Sequence, residues 1–189
     1  GRSIVGLLPH EIARLGIGRQ FQDGRVFKGL TVLENVMVAA FPTSAQVSWR
    51  AWFRRKEQRE STEKAEAEAL RWIEHVGLID RLNETARDLS FGQQKLLSLA
   101  RLFAQQSRLL LLDEPTAGLS PQMIDQVVTL IRRSVEERGL TVVIVEHNMS
   151  VVADLTSWIH FLHEGRVAFS GETTHVLGNR SVREIYMGL

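Results

Sequence analysis

The chain has no cysteine. That excludes a disulfide framework, a thiolate metal site and a thiol nucleophile, and it fits a reducing compartment. No apolar run nears the length needed to cross a bilayer, and the run at 109–112 is far too short. The start, Gly1-Arg2-Ser3-Ile4, has neither an initiator Met nor the apolar stretch of a signal peptide, and reads as a cut in a longer chain. Charge of one sign is not in excess: 23 Lys and Arg face 22 Asp and Glu, a net of +1, so nothing pulls the chain toward nucleic acid. Internal repeats and low-complexity tracts are absent. So is any G-x-x-x-x-G-K-[ST] stretch; the four lysines are Lys28, Lys56, Lys64 and Lys95, and none follows a glycine.

What is present is an ordinary globular composition, 44% apolar and 24% charged over 189 residues, enough for one or two packed units. Residues 9–15 read as a short helix and 17–21 as a short strand ending at Gln22, with a turn at Asp23-Gly24. Thr31 and Glu34 have the spacing of a capping box, followed by the helical stripe Leu33, Val36, Met37 and Ala40. Between 42 and 61 the character changes: Trp49, Trp52 and Phe53 interleave with Arg50, Arg54, Arg55 and Lys56. That patch suits either partner loops or anchoring of an insert to its own helices. Residues 62–76 form a charged amphipathic helix, 78–87 a short helical link, and 90–105 a loop then a helix.

From there strands and helices alternate. Strand 109–112 is followed by a helix opening at Pro121 and ending at Gly139. Strand 141–145 and a helix from about 149 to 155 come next, then a hairpin around Glu164-Gly165 and two short helical pieces. This order predicts an open α/β sheet carrying a mainly helical lobe.

Three places carry chemistry. Asp113-Glu114 end an all-apolar strand, and ligands of open α/β sheets bind beyond the carboxyl ends of such strands. Asp113 is placed to hold a Mg²⁺ shell and Glu114 to polarise a water toward a γ-phosphate; the plainer reading is two solvated acids before a turn. His147 follows the neighbouring strand and could donate to a phosphate or orient the water, or be an exposed histidine at a helix start. Ser90-Phe91-Gly92-Gln93 opens a helix whose backbone N–H groups and Ser90 hydroxyl suit a phosphate, or form a helix cap and nothing more.

Taken in order, Gln22, 89–93, 109–115 and His147 match one pattern. With Leu30-Thr31-Val32-Leu33-Glu34-Asn35-Val36, Val143-Ile144-Val145-Glu146-His147-Asn148-Met149 and the closing Tyr186-Met187-Gly188, the sequence resembles the ATP-binding cassette (ABC) family. It is most similar to the subunits that drive branched-chain amino acid importers, with urea and amide importers as relatives. The resemblance covers essentially the whole chain. It implies an α/β P-loop NTPase fold, N-terminally truncated and lacking the P-loop part, with a helical subdomain inserted in a mainly parallel sheet. The divisions would be 1–29, a core remnant with the Q-loop; 30–105, the helical subdomain with the signature; and 106–189, the rest of the core.

The resemblance also implies roles. Gln22 would be the Q-loop ligand to ATP and metal. Ser90, Gly92 and Gln93 would be the signature, which reads the γ-phosphate of the ATP held mainly by the opposite subunit; Asp113 would bind ATP and Mg²⁺, Glu114 would be the catalytic base and His147 the catalytic switch. Residues 117–120 would be the D-loop. Partners would be transmembrane permease subunits and a second ATPase subunit, with no nucleic acid, on the cytoplasmic side of the membrane. The expected activity is ATP hydrolysis driving uptake of branched-chain amino acids or similar solutes by the parent protein, this chain alone being a fragment that binds little ATP. The alternative is a non-catalytic structural or regulatory cassette.

Overall fold

The computed structural model describes residues 3–20, 25–40 and 55–187. The Trp49, Trp52 and Phe53 patch lies outside them. Two compact units result, Gly1–Val145 and Glu146–Leu189.

In the first unit, helix α1 (Pro9–Arg14) leads into strand β1 (Ile17–Gln20). Helices α2 (Val32–Ala40), α3 (Arg55–His75) and α4 (Phe91–Ala104) then intervene before strand β2 (Leu109–Asp113). Helix α5 (Pro121–Arg138) and strand β3 (Thr141–Val145) close the unit. The strands form a parallel sheet in the order β1-β2-β3, with Gln20 beside Leu112 and Asp113 beside Val145. Parallel pairing needs crossovers, and the chain supplies them as the helical insert and as α5.

Strand β2 lies between the other two, and its Leu110 and Leu112 are fully buried. Strand β3 is as apolar in sequence, and cover on both faces is expected of it. Instead Val143 and Val145 are half-exposed. Thr141, Val143 and Val145 share one face by strand alternation, and that face of the strand is the one left exposed.

The insert packs around α4, whose fourteen residues include ten that are buried. Trp72 of α3 stacks on Phe103 of α4 with ring centroids 5.0 Å apart. The α2 entry is the capping box the sequence spells: Glu34 N–H donates to Thr31 Oγ1 at 3.2 Å and Thr31 N–H to Glu34 Oε2 at 2.8 Å. Buried Asn35 then folds the preceding loop against the helix, accepting from Phe27 N–H and donating to the Phe27, Leu30 and Thr31 carbonyls. Residues 78–87 are a 3₁₀ turn, Ile79–Arg81, and an irregular stretch rather than a helical link. Thr85 bridges Thr31, and Val32 N–H bonds the Glu84 carbonyl, so the backbone there is satisfied across the lobe rather than along a helix.

The second unit begins with helix α6 (Met149–Leu155), capped by Asn148, whose Oδ1 accepts from Ser150 and Val151 N–H. Strands β4 (Trp158–His163) and β5 (Arg166–Glu172) form an antiparallel hairpin. Its turn has Glu164 at φ 48° and Gly165 at φ 73°, the two positive values that a tight primed turn requires. Helices α7 (Thr173–Gly178) and α8 (Arg180–Met187) complete it.

Ion pairs tie α3 to α5: Arg71 meets Glu137 at 2.9 Å, and Arg138 meets Glu68 in a more buried setting. Arg138 donates to Glu68 Oε1 and lies over the Trp72 ring, whose Nε1 donates to the same oxygen at 2.7 Å. Burial acts to raise the Glu68 pKa, but the bonds from Arg138 and Trp72 and the charges of Arg138 and Arg71 outweigh it, leaving the carboxyl below its ordinary value of 4.5. A depressed pKa stabilises the fold above the unfolded value and loses that contribution as pH falls through the folded one. Glu68→Gln is therefore expected to be less stable than wild type at neutral pH, with the gap closing on acidification below 4.5. Urea midpoints from about pH 7 down to about pH 3 measure this, and a gap that stays constant refutes it.

Candidate nucleotide site

Burial of β2 fixes where its acids emerge. Asp113 is the last residue of the strand and Glu114 follows at φ 46°, in the left-handed region that non-glycine residues rarely occupy. Its N–H donates to the Val145 carbonyl at 2.9 Å, so the Glu114 peptide is held by the neighbouring strand. A tight turn follows: Ala117 N–H bonds Glu114 O and Leu119 N–H bonds Thr116 O, each at 3.2 Å. Gly118 sits in this turn at φ 74°, and a Cβ there would come within 3.1 Å of the Phe91 ring.

The start of α4 lies against this turn. Ser90 is its N-cap, accepting from Gln93 N–H through Oγ at 3.3 Å, while Ser90 N–H donates to Gln93 Oε1 at 2.9 Å. The cap uses a lone pair of the hydroxyl, which leaves its proton for an acceptor. The first-turn N–H groups of a helix have no partner within it, and their partial positive charge favours an anion. A Cβ on Gly92 would meet the Met123 thioether at 2.5 Å, so a larger residue there displaces the end of that side chain. Ser90, Gly92 and Gln93 at the start of the helix and Asp113 and Glu114 at the strand tip all belong to the first unit.

His147 belongs to the second unit. Its N–H donates to Glu146 Oε2 at 3.1 Å and its carbonyl accepts from Tyr186 Oη at 2.7 Å, so its main chain is pinned on both sides. The side chain is exposed. Gln22 lies outside the described residues.

Sequence reasoning missed two residues next to this site. Lys95 is buried in α4 and donates from Nζ to the carbonyls of Glu114 at 2.7 Å and Ala117 at 2.9 Å. Gln20 is buried at the end of β1 and donates to Ser98 Oγ at 2.9 Å. A signal for Lys95 existed: it lies four and seven positions before Leu99 and Leu102, on an apolar face of the helix.

Residues 5–117 match the family model described as ABC transporter. The chain belongs to the ABC transporter family. It is similar to the high-affinity branched-chain amino acid transport ATP-binding protein BraF of Pseudomonas aeruginosa, at 35% identity over all of this chain and 74% of that protein. The probable LivG of Archaeoglobus fulgidus, likewise a branched-chain amino acid transport ATP-binding protein, is 37% identical over all of this chain and 72% of its own length. Among solved structures, the ADP conformation of MJ1267, an ATP-binding cassette of an ABC transporter, superposes with a TM-score of 0.75 at 26% identity, over 100% of this chain and 75% of that one. The chain is thus a homologue of the ATP-binding subunits of branched-chain amino acid importers, in a family of ATPases that use ATP with Mg²⁺.

These matches support the α/β fold with a helical subdomain and overturn one expectation, that of an N-terminally truncated cassette lacking its P-loop part. The family model takes up the N-terminal region of this chain from residue 5, and the solved cassette is matched by all of it. The truncation was read from one short loop pattern, whereas the match weighs strand, helix and loop sequence together. Neither the truncated fold nor an inert fragment is carried further.

Gly118→Ala tests how tightly the turn is set. Alanine at φ 74° meets both the left-handed penalty and the Phe91 ring, and a loss of about 1–2 kcal/mol is expected. A urea melt indistinguishable from wild type would contradict the turn geometry.

Proposed function

We propose that the chain is the ATP-hydrolysing motor subunit of an importer of branched-chain amino acids or similar small solutes. The observation that carries the reading is the pairing of two carboxylates at a buried strand tip with a capped helix N-terminus in the same unit. The relatives' stated transport of branched-chain amino acids supplies the solute class. In this reading the division into 1–29, 30–105 and 106–189 follows the work: core, partner-facing helical lobe, core.

Glu114 is the general base that polarises the attacking water. Asp113 holds Mg²⁺, with Gln22 as a second ligand. A Mg²⁺ ion takes one or two carboxylates and completes its shell with water and phosphate oxygens. Asp113, a single carboxylate at the strand tip, suits that shell. Ser90 and the N–H groups near Gly92 and Gln93 bind phosphate oxygens by hydroxyl and helix-terminus donation, and His147 is the switch. ATP with Mg²⁺ supplies the phosphoryl transfer; the protein supplies position and charge.

Among the described residues no helix is long and apolar enough to cross a membrane. The subunit works from the cytoplasmic face, docked on transmembrane permease subunits and paired with a second ATPase subunit.

In the assembled transporter, Glu114→Gln is expected to lower ATP turnover about 10²–10⁴-fold with ATP affinity retained, and to stop leucine uptake into vesicles. Undiminished turnover would remove Glu114 as the base. Uptake of urea or amides but not leucine would move the solute class.

A further inference from the structure

We propose that Lys95 is the positioning residue for Glu114: its buried ammonium fixes the backbone of the turn at residues 114–117, so the start of α4 and the catalytic carboxylate behave as one rigid piece. The proposal rests on the reading of Glu114 as the general base.

Lysine is almost never fully buried without partners, and Lys95 is 2% exposed. An apolar side chain of similar volume would fill the same space without the desolvation of an ammonium, so packing alone does not account for a lysine here. Its Nζ bonds are aimed at two main-chain acceptors of one turn, Glu114 O at 2.7 Å and Ala117 O at 2.9 Å. Glu114 holds a left-handed backbone at φ 46°. Such a conformation persists where the surroundings over-determine it. They do so here: Val145 O takes the Glu114 N–H and Lys95 holds the Glu114 C=O. With both ends of the residue held, the direction of its Cα–Cβ bond is set, and with it the point from which the carboxylate reaches out.

The same residue joins two other places. Lys95 O accepts from Ser98 Oγ at 2.8 Å, and that hydroxyl accepts from Gln20 Nε2. A hydrogen-bonded line therefore runs from the last residue of β1, two positions before Gln22, through α4 to Glu114. On the same side, a Cβ on Gly92 or Gly118 would press on Met123 or Phe91, so the first turn of α4 packs directly on residues 118–123. A ligand held at Ser90 and the aim of Glu114 are then mechanically linked within one subunit.

The test compares Lys95→Met, Lys95→Gln and Lys95→Arg with wild type. Hydrogen exchange is read on the chain at the amides of residues 114–119, with the amides of β2 as reference. ATP turnover is read in the assembled transporter. Lys95→Met is expected to raise exchange at 114–119 about tenfold or more over the reference. It should lower kcat about tenfold or more with KM for ATP within about twofold, the split of a group felt in the transition state. Lys95→Gln, with one donor group in place of the ammonium, falls between. Lys95→Arg, which keeps charge and donors, recovers protection and part of the turnover.

Unchanged exchange at 114–119 in Lys95→Met overturns the proposal. A rise spread evenly over the whole first unit, or failure of both Lys95→Met and Lys95→Gln to fold, also overturns it, because the lysine then serves the fold rather than the turn. If exchange rises locally while Glu114→Gln keeps full turnover, the base assignment falls and the fixing of the turn stands, so the two failures are told apart.

Discussion

Burial of α4 is the constraint on which the rest of the first unit depends. Its leucines, Phe103 and small residues pack against α2, α3 and β1 together, so neither lobe nor sheet has a core without it. A helix buried for most of its length can offer a ligand only an end. Here that end is the Ser90 cap, and the packing that fixes the helix axis also fixes where its first-turn N–H groups point. The exposed helix start is thus a by-product of core formation, which is why a glycine at 92 and an exposed Phe91 sit beside one of the most buried stretches among the described residues.

Charge is handled in the same spirit. With a net charge of +1 the chain has little long-range field, and its cations act locally. Arg138 is satisfied by Glu68, the Phe103 carbonyl and the face of Trp72. Arg101 donates to the Arg25 carbonyl and stacks over Phe27, and burial pulls its pKa below the ordinary arginine value. Lys95 takes two carbonyls. The bonds of Arg138, Arg101 and Lys95 to main-chain carbonyls hold loops and helix junctions. A buried cation removed without replacing its partners leaves those acceptors short, so such sites are more specific than they are stabilising.

Much of this was legible in the sequence where local chemistry decides structure. The Thr31–Glu34 box, the Gly139 helix stop at φ 62°, Pro121 at the start of α5 and the Glu164-Gly165 turn are all short-range devices. Failures came where distant partners decide. Helix α3 starts at Arg55, earlier than its apolar stripe suggests, because the charged sequence of its opening turns carries no apolar period. Residues 78–87 have helical composition, yet their backbone partners lie on Thr31 and Val32. Strand β3 has the apolar run of a covered strand, and no property of five residues tells which of its faces stays uncovered. The truncated cassette was the largest error, drawn from one loop pattern and undone by the match of the whole region.

The candidate site was legible as residue types and not as directions. A strand ending in two acids says which groups are present. Their backbone is held by bonds from other residues: Val145 and Lys95 for Glu114, Glu146 and Tyr186 for His147. The pattern is common to both units, each holding its own residue by both the N–H and the C=O. Side-chain partners can rearrange as a ligand enters, but a peptide held at both ends keeps its Cβ direction until a backbone bond breaks. Holding of this kind fixes where each side chain leaves the backbone. It also explains why Tyr186, at the far end of the sequence, belongs to the same set of marks as His147: its hydroxyl is the bond that holds the histidine's carbonyl.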